Sequence, residues 1–333
     1  MIEIDGSVGE GGGQIIRTAV SLAAVTGKEV EIRNIRAHRP NPGLAAQHVH
    51  AVKAVESVSG GETEGLALRS SRLTFSPAEL KGFGGGIDIG TAGSITLLLQ
   101  CLIPVALFAD GETKVRIKGG TDVKWSPPID FYTAVFLNAI REMGCDVHHE
   151  VKRRGYYPKG GGLVEAKITP SHHLTGFALP ASGGIVHGVS HSCGLPAHVV
   201  ERQAKAAEAV LSAAGYDARI KTERDRGTKT GSGITLWRGY KSGSALGERG
   251  KRAELVGEEA ARELLKELES ASTVGVHLAD QLIPYIALAE GKSEITVREV
   301  TKHLETNVYV TKEFLDVAFG IEKEEGVVVI RKM

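Results

Sequence analysis

Two stretches of this chain concentrate the residue types that handle phosphate. Gly9-Glu10-Gly11-Gly12-Gly13 runs directly into Gln14-Ile15-Ile16-Arg17. A glycine-rich turn opening a helix leaves backbone N–H groups and the positive end of the dipole facing outward, which is an anion site. Glu10, Gln14 and Arg17 add a carboxylate, an amide and a guanidinium beside it, a set suited to phosphate or metal-bound phosphate. No Gly-Lys-Ser/Thr follows, and the acidic residue a dinucleotide fingerprint needs about twenty positions on is missing. A plain structural turn explains the glycines as well. Further along, Arg33, Arg36 and Arg39 recur every third residue before Pro40, with His38 and His48 nearby. Guanidinium groups grip phosphate in two-pronged fashion, although a solvated basic strand edge gives the same pattern.

Four other clusters invite chemistry. Lys152 to Gly162 mixes basic and aromatic residues with a flexible turn, which could hold a nucleic-acid end by charge and stacking. A hairpin with a basic turn fits almost as well. His277-Leu278-Ala279-Asp280-Gln281 opens an apolar helix, where acidic residues suit the dipole and simple capping competes with ligand binding. His303, flanked by Lys302, Glu305, Thr306 and Asn307, lies in a polar stretch that corresponds in position to the arginine-rich one. His187, His191, Cys193 and His198 suggest zinc at first sight. Structural zinc usually has paired short spacings with at least two thiolates, so ordinary buried or surface histidines are preferred.

The elements that must position these residues follow a repeated grammar: helix, glycine, alternating strand. It runs from Gln14 to Gly27 and Val30-Glu31-Ile32, from Ser94 to Gly111 and Val115-Arg116-Ile117, and from His277 to Gly291 and Ile295-Thr296-Val297. Glycine just past a helix suits the left-handed C′ position, and alternation afterwards is the period of a half-buried strand. A polar loop and a second helix come next in each case. The loops are 36–42, 119–128 and 301–307, and strand-to-helix junctions of this kind are where α/β architectures place chemistry. The second helix is clearest in the middle copy, as the stripe Tyr132, Val135, Phe136, Ala139, Ile140 and Met143.

Residues 181–273 lack this grammar and are expected to form a small inserted α/β domain. They read as strand (Ile185 to Ser192), helix (Ala197 to Ala214), strand (Ala218 to Lys221), strand (Ile234 to Trp237) and helix (Glu258 to Glu269). The polar, Gly-rich runs Arg224 to Gly233 and Lys241 to Lys251 are expected to be mobile loops. The large domain is then 1–180 plus 274–333, and 333 residues is about two domains' worth of chain. Lys+Arg and Asp+Glu total 40 each, which argues against non-specific coating of a nucleic acid. Any such contact should be local, at one end or one phosphate, and not along a duplex. No apolar run of about 18 residues suggests a membrane span. Three widely spaced cysteines suit a reducing cytoplasm better than a disulfide framework.

Taken together, Gly-Glu-Gly-Gly-Gly-Gln (9–14), Arg-Pro-Asn-Pro-Gly-Leu (39–44), Tyr-Pro-Lys-Gly-Gly-Gly (157–162), Leu-Ala-Asp-Gln (278–281) and His-x-x-x-Thr-Asn (303–307) resemble the RNA 3′-terminal phosphate cyclases. The motifs occur in order over nearly the whole chain. The resemblance implies an α/β (α+β) fold of three repeated units, each like the C-terminal domain of translation initiation factor three, with a small insertion. It implies ATP-dependent conversion of an RNA 3′-phosphate to a 2′,3′-cyclic phosphate through histidine–AMP and RNA-pp-A intermediates. His303 would then be the nucleophile, Gln100 and His277 to Gln281 would hold ATP, and Glu10 would hold a divalent metal (Mg or Mn). Gln14, Arg17, Arg36, Arg39 and His48 would contact phosphate or the RNA end. The loop Val123-Lys124-Trp125 is a departure, in a segment where family members vary. Two relatives of other function share the fold type. A ribosome-assembly scaffold would lack the histidine, and an enolpyruvyl transferase would need basic loops but no histidine–AMP.

Overall fold

A computed structural model describes residues 1–180, 183–225 and 229–333. The chain begins with strand β1 (Ile2–Asp5), helix α1 (Gly13–Thr26), β2 (Val30–Arg33), α2 (Ala46–Ser59), β3 (Glu62–Glu64) and β4 (Leu73–Ser76). The strands form a sheet in the order β1-β2-β4-β3, in which β1 and β2 are parallel and joined through α1. Next come β5 (Gly84–Asp88), α3 (Ile95–Leu107), β6 (Thr113–Gly119), a helical stretch of α4 (Ile129–Phe131), a π-helical turn (Tyr132–Phe136) and α5 (Leu137–Arg141), then β7 (Asp146–Arg153) and β8 (Gly162–Thr169). Their order is β5-β6-β8-β7, again with a parallel first pair joined through a helix. Both sheets therefore have the same strand order and directions.

Beyond Thr169 the chain leaves this pattern and later returns to it. After the return, α8 (Val276–Leu288), β13 (Ser293–Val297), α9 (Lys302–Phe314), β14 (Phe319–Glu324) and β15 (Val327–Lys332) give a sheet in the order β13-β15-β14. Its free edge, beside β13, is taken by residues 175–178. Thr175 and Ala178 bridge in parallel to Glu290 and Glu294, with Gly176 N–H to the Glu290 carbonyl at 2.7 Å. The point of return is tied to the same strand, as Thr273 N–H donates to the Thr296 carbonyl at 3.1 Å.

Local sequence explains these elements. In β6, Thr113, Val115, Ile117 and Gly119 face inward while Lys114, Arg116 and Lys118 face water, the two-residue period of a half-buried strand. Tyr132, Val135, Phe136, Ala139, Ile140 and Met143 are all buried, as their spacing predicts. Gly27 caps α1 in the left-handed region at φ 66°. The other two glycines do not cap helices. α3 ends at Leu107 with Phe108 as its cap, three residues before Gly111, and Gly291 (φ 79°) serves the turn after Ala289.

The intervening segment has a core of its own, built from Val186, Ala207, Leu211, Ile234, Leu236, Ala245, Val256, Ala260, Ala261 and Leu264. Its elements are β9 (Val186–Cys193), α6 (His198–Ala213), β10 (Ala218–Asp225), β11 (Gly231–Arg238), β12 (Lys241–Leu246) and α7 (Ala253–Leu268), with sheet order β10-β9-β11-β12. Two expectations are corrected here. Lys241 to Leu246 is a strand and not part of a mobile loop. Its serines and glycine read as linker, but a Cβ on Gly243 would lie 2.3 Å from the Ala260 carbonyl oxygen, so glycine is there to let α7 approach. The run from Arg224 to Gly233 is likewise mostly strand, with β10 reaching Asp225 and β11 starting at Gly231, while 226–228 lie outside the described residues.

Two members of the His/Cys cluster sit in different surroundings. His187 is exposed and stacks on Trp237 at 6.3 Å between ring centroids, whereas His191 is buried and its Nδ1 meets the Tyr156 hydroxyl at 2.8 Å. Burial and the nearby Arg154 hold the His191 imidazolium down, with its pKa lowered to about 3. Arg154 takes the adjoining carboxylates. It bonds both oxygens of Asp130 at 2.9 Å, Glu223 at 3.0 Å and Asp122 at 3.4 Å, joining the β7–β8 connection to β10. The expected basic grip of 152–162 is thus largely spent within the protein. Lys152 pairs with Glu150 and Glu165, Tyr156 is buried, and Tyr157 and Lys159 remain exposed. Replacing Arg154 by Met should lower unfolding stability by about 3–5 kcal/mol, because several carboxylates are left without their cation. Urea unfolding of the two proteins measures this. Among the described residues, no helix is long and apolar enough to cross a membrane.

Candidate active site

Three helices in corresponding places meet at one cleft. Arg17 lies in the opening turns of α1, Gln100 in those of α3 and Asp280 in those of α8, and Arg17 Nε donates to Gln100 Oε1 at 3.3 Å. The cleft has a volume of about 330 Å³ and is lined by Gln14, Arg17, Gln100, His277, Asp280, Gln281 and His303 among the expected residues. Arg17 is nearly buried, and the loss of water lowers its pKa to about 10, so it remains a cation at neutral pH.

His303 is not in a loop, as expected from sequence, but in the first turn of α9. Thr301 caps that helix, its hydroxyl accepting from Leu304 N–H at 3.1 Å, and Glu305 in the first turn suits the dipole. Gln14 fixes the imidazole. Its Nε2 donates to the His303 carbonyl at 2.9 Å, which turns its Oε1 toward His303 Nδ1. An amide oxygen only accepts, so Nδ1 carries the proton, and Nε2 is the nitrogen that holds the lone pair whenever the ring is neutral. Nε2 lies 3.1 Å from Glu10 Oε2, which is also 3.1 Å from Arg39. Burial lowers the His303 pKa below the ordinary imidazole value, Glu10 opposes this, and Arg17, His277 and Arg39 add to the lowering. The neutral ring is therefore favoured at physiological pH.

The surrounding scaffold fits closely. Gly9 is left-handed at φ 63°, and a Cβ there would lie 2.3 Å from Thr306 Oγ1. A Cβ on Gly13 would lie 2.0 Å from His48 Nε2. His48 is buried beneath that glycine, takes a 3.0 Å hydrogen bond from Ala45 N–H on Nδ1, and has its pKa lowered to about 3 by burial and by Arg17 and Arg36. It supports the glycine turn from below and does not line the cleft. Leu278 and Ala279 are buried in α8 and present no side chain to the cleft. Arg36 donates to the Gly43 carbonyl at 2.8 Å, and Arg39 sits over Gly12 at the rim. Arg33 pairs with Glu31 at 2.7 Å and lies outside the cleft lining. Asn307 links the helices, accepting from Thr18 Oγ1 at 2.7 Å and donating to the Asp280 carbonyl at 2.5 Å.

Asp280 reaches the cleft but is enclosed on most sides. Loss of water raises its pKa to about 7, against the lowering effect of His277 and Arg17. A carboxyl raised on folding contributes stability below its unfolded value near 4, and that contribution fades as pH rises toward 7. The melting temperature of Asp280→Asn relative to the parent should therefore climb from about pH 4 to pH 7 and then level off. A difference that is flat with pH would contradict the enclosure of this carboxyl.

Sequence reasoning pointed to the 119–128 loop without assigning wall residues in it, and missed the wall from the intervening segment. Trp125, Ser126, Pro127 and Pro128 line one side, and Ser242, Ser244 and Glu263 of the intervening segment line another. Glu263 Oε1 lies 3.6 Å from His277 Nε2 and raises the pKa of that ring. The serines carried no signal because Lys241 to Leu246 read as linker. Gln281 Oε1 is buried without a partner at the cleft, a group left for a ligand to satisfy.

Comparison with known proteins identifies the family. A family profile described as RNA 3′-terminal phosphate cyclase matches residues 8–321. The chain belongs to the RNA 3′-terminal phosphate cyclase family, a class of enzymes acting on RNA ends. Among similar proteins, the RNA 3′-terminal phosphate cyclase of Archaeoglobus fulgidus is 53% identical over 315 residues, covering 95% of this chain and 96% of that protein. The cyclase of Methanosarcina mazei is 50% identical over 98% of both chains. That of Pyrococcus abyssi is 46% identical over 98% of this chain and 96% of its own.

Proposed function

We propose that this enzyme uses ATP to convert an RNA 3′-terminal phosphate into a 2′,3′-cyclic phosphate, with His303 carrying AMP between the two substrates. The observation that carries the reading is the His303 imidazole, held by Gln14 through Nδ1 so that Nε2 is left for attack, at the cleft floored by Arg17, Gln100 and Asp280. In the first step Nε2 attacks the α-phosphorus of ATP. An N–P bond forms, the bond to the bridging oxygen breaks, and pyrophosphate leaves. No base is needed, because the attacking nitrogen bears no proton. The emerging negative charge meets Arg17 across the cleft and Arg39 at its rim.

In the second step an oxygen of the RNA 3′-phosphate attacks the same phosphorus, the N–P bond breaks, and the imidazole is returned. The 3′-phosphate now bears AMP, a far better leaving group than a bare phosphate oxygen. The vicinal 2′-hydroxyl then attacks, gives up its proton and closes the ring while AMP departs. Effective molarities of about 10⁵ M or more are available to such oriented groups. The 2′-hydroxyl requirement makes the substrate RNA.

Glu10 is the residue that would hold a divalent ion. It offers one carboxylate at the cleft edge, and Mg-type ions are commonly held by one or two carboxylates with substrate phosphates and water completing the shell. Such an ion would supply positive charge to the triphosphate. We also read residues 1–180 with 274–333 as one large domain of three copies of a unit like the C-terminal domain of initiation factor three, and 181–273 as an inserted domain. The two sheets of matching order support this, as does the separate core of the segment.

Incubation with α-labelled ATP and Mg or Mn should give about one acid-labile, alkali-stable label per chain, while γ-labelled ATP should give none. Absence of α-label in protein that still binds RNA would favour a scaffold role.

A further inference from the structure

Trp125 has no role inside the fold. It is 95% exposed, the most exposed of the large apolar residues, and its backbone is left-handed at φ 61°, a region that bulky side chains avoid. The loop carrying it is nevertheless anchored on both sides. Ser126 Oγ donates to the Val123 carbonyl at 2.9 Å, and Thr96 Oγ1 donates to the Pro127 carbonyl at 2.8 Å. The indole is thus held out into solvent on a fixed turn, against both the hydrophobic effect and backbone preference. Strain of this kind is maintained where function needs it.

Trp125 also stands where three hollows meet. It lines the cleft that contains His303, a neighbouring hollow of about 240 Å³, and a cavity of about 1050 Å³ between the intervening segment and the body of the protein. Strand β12 runs along all three. Ser244 is shared by the first two, and Leu246 by the last two. The largest exceeds the roughly 300–1,000 Å³ of a small-ligand pocket. Its lining includes Tyr157, 74% exposed, and Arg249, which has no carboxylate partner among the described residues. Exposed aromatic faces along a groove, with a free cation beside them, are what a single nucleic-acid strand requires. The neutral net charge of the chain fits a short local track and not a duplex-coating surface.

We infer that the nucleotides preceding the RNA 3′-phosphate leave the catalytic cleft over Trp125 and continue into this cavity, with bases stacking on Trp125 and Tyr157 and a backbone phosphate meeting Arg249. The inference rests on the function proposed above but assigns a separate strand-binding track. The runner-up partner for the indole is the adenine of ATP, since Trp125 also borders that cleft.

The test uses the full chain and two 3′-phosphorylated RNAs, a dinucleotide and a strand of about ten nucleotides. Binding of the longer strand without ATP is read by fluorescence anisotropy, and loading of AMP from ATP is read without RNA. Trp125→Ala should weaken binding of the longer strand by about tenfold, with Trp125→Phe restoring most of the affinity. Tyr157→Ala should weaken the longer strand and spare the dinucleotide. Arg249→Gln should reduce the slope of log affinity against log salt by about 0.7. Slower AMP loading in Trp125→Ala with unchanged RNA binding would assign the indole to adenine and overturn the inference, as would unchanged values in both assays. RNA binding is measured without nucleotide, so a failure of the histidine–AMP chemistry would appear only in the loading assay.

Discussion

Replacement of His303 by alanine should abolish AMP loading and reduce cyclisation by at least about 10³-fold, while the protein remains folded. The size follows from position. One nitrogen of this ring is committed to Gln14 and the other faces the cleft beside Glu10. Among the described residues no second imidazole is equivalently placed: His277 borders the same cleft but is tied to Glu263, and His48 is buried behind the glycine turn. Folding should survive because His303 is only partly buried and Leu304, Asn307 and Val308 carry the packing of that helix. Gln14→Ala should be an intermediate case, since the ring keeps its lone pair but loses its orientation. The measurement is α-label retained on protein, alongside conversion of a 3′-phosphorylated oligonucleotide. Full labelling of His303→Ala would dispose of the proposed chemistry.

Arg17→Met should lower the rate of AMP loading by about 10²–10³-fold, the effect of removing one preorganised charge aimed at a reacting phosphate. Arg17 is held nearly out of water against Gln100 and remains positive there. Lysine should rescue poorly, because an ammonium cannot reproduce the planar two-pronged contact. A second readout separates this from a purely structural loss. Arg17 lowers the pKa of Asp280, so the substitution should push that carboxyl above its value of about 7 and move the pH at which the Asp280-linked stability change occurs. Single-turnover loading at saturating ATP measures the first effect, and melting temperature against pH measures the second.

Much of this could be read in the residues themselves. Apolar spacing and the glycine punctuation located α1, α3 and α8 and the strands after them to within a few residues, because buried helices and half-buried strands impose different periods on the chain. His303 could be singled out, but its setting could not. Thr301 was available as a cap, yet the polar run after it looked like a loop until Leu304 and Val308 were seen packing inward. Strand β12 was hidden for the opposite reason. Its glycine and serines are there for the close approach of α7, a demand made by a partner about twenty residues away and invisible to any local pattern. The same holds for His48, whose neighbour Gly13 belongs to a different helix. The cleft walls of Ser242, Ser244 and Glu263 depend on how the segment folds back, and only tertiary contacts reveal that.

Both ends of the segment between 178 and 273 are fastened to β13, one through Ala178 and the other through Thr273. A detour that starts and finishes at one strand can be lengthened, shortened or exchanged without rethreading the sheets on either side. The His303 imidazole, its amide partner and the buried guanidinium all come from outside the detour, while serines and a glutamate from within it shape one wall of the cleft. The architecture thus separates the residues proposed for transfer from those that shape the vestibule, so changes in the detour can retune which RNA ends are admitted while leaving the proposed chemistry alone.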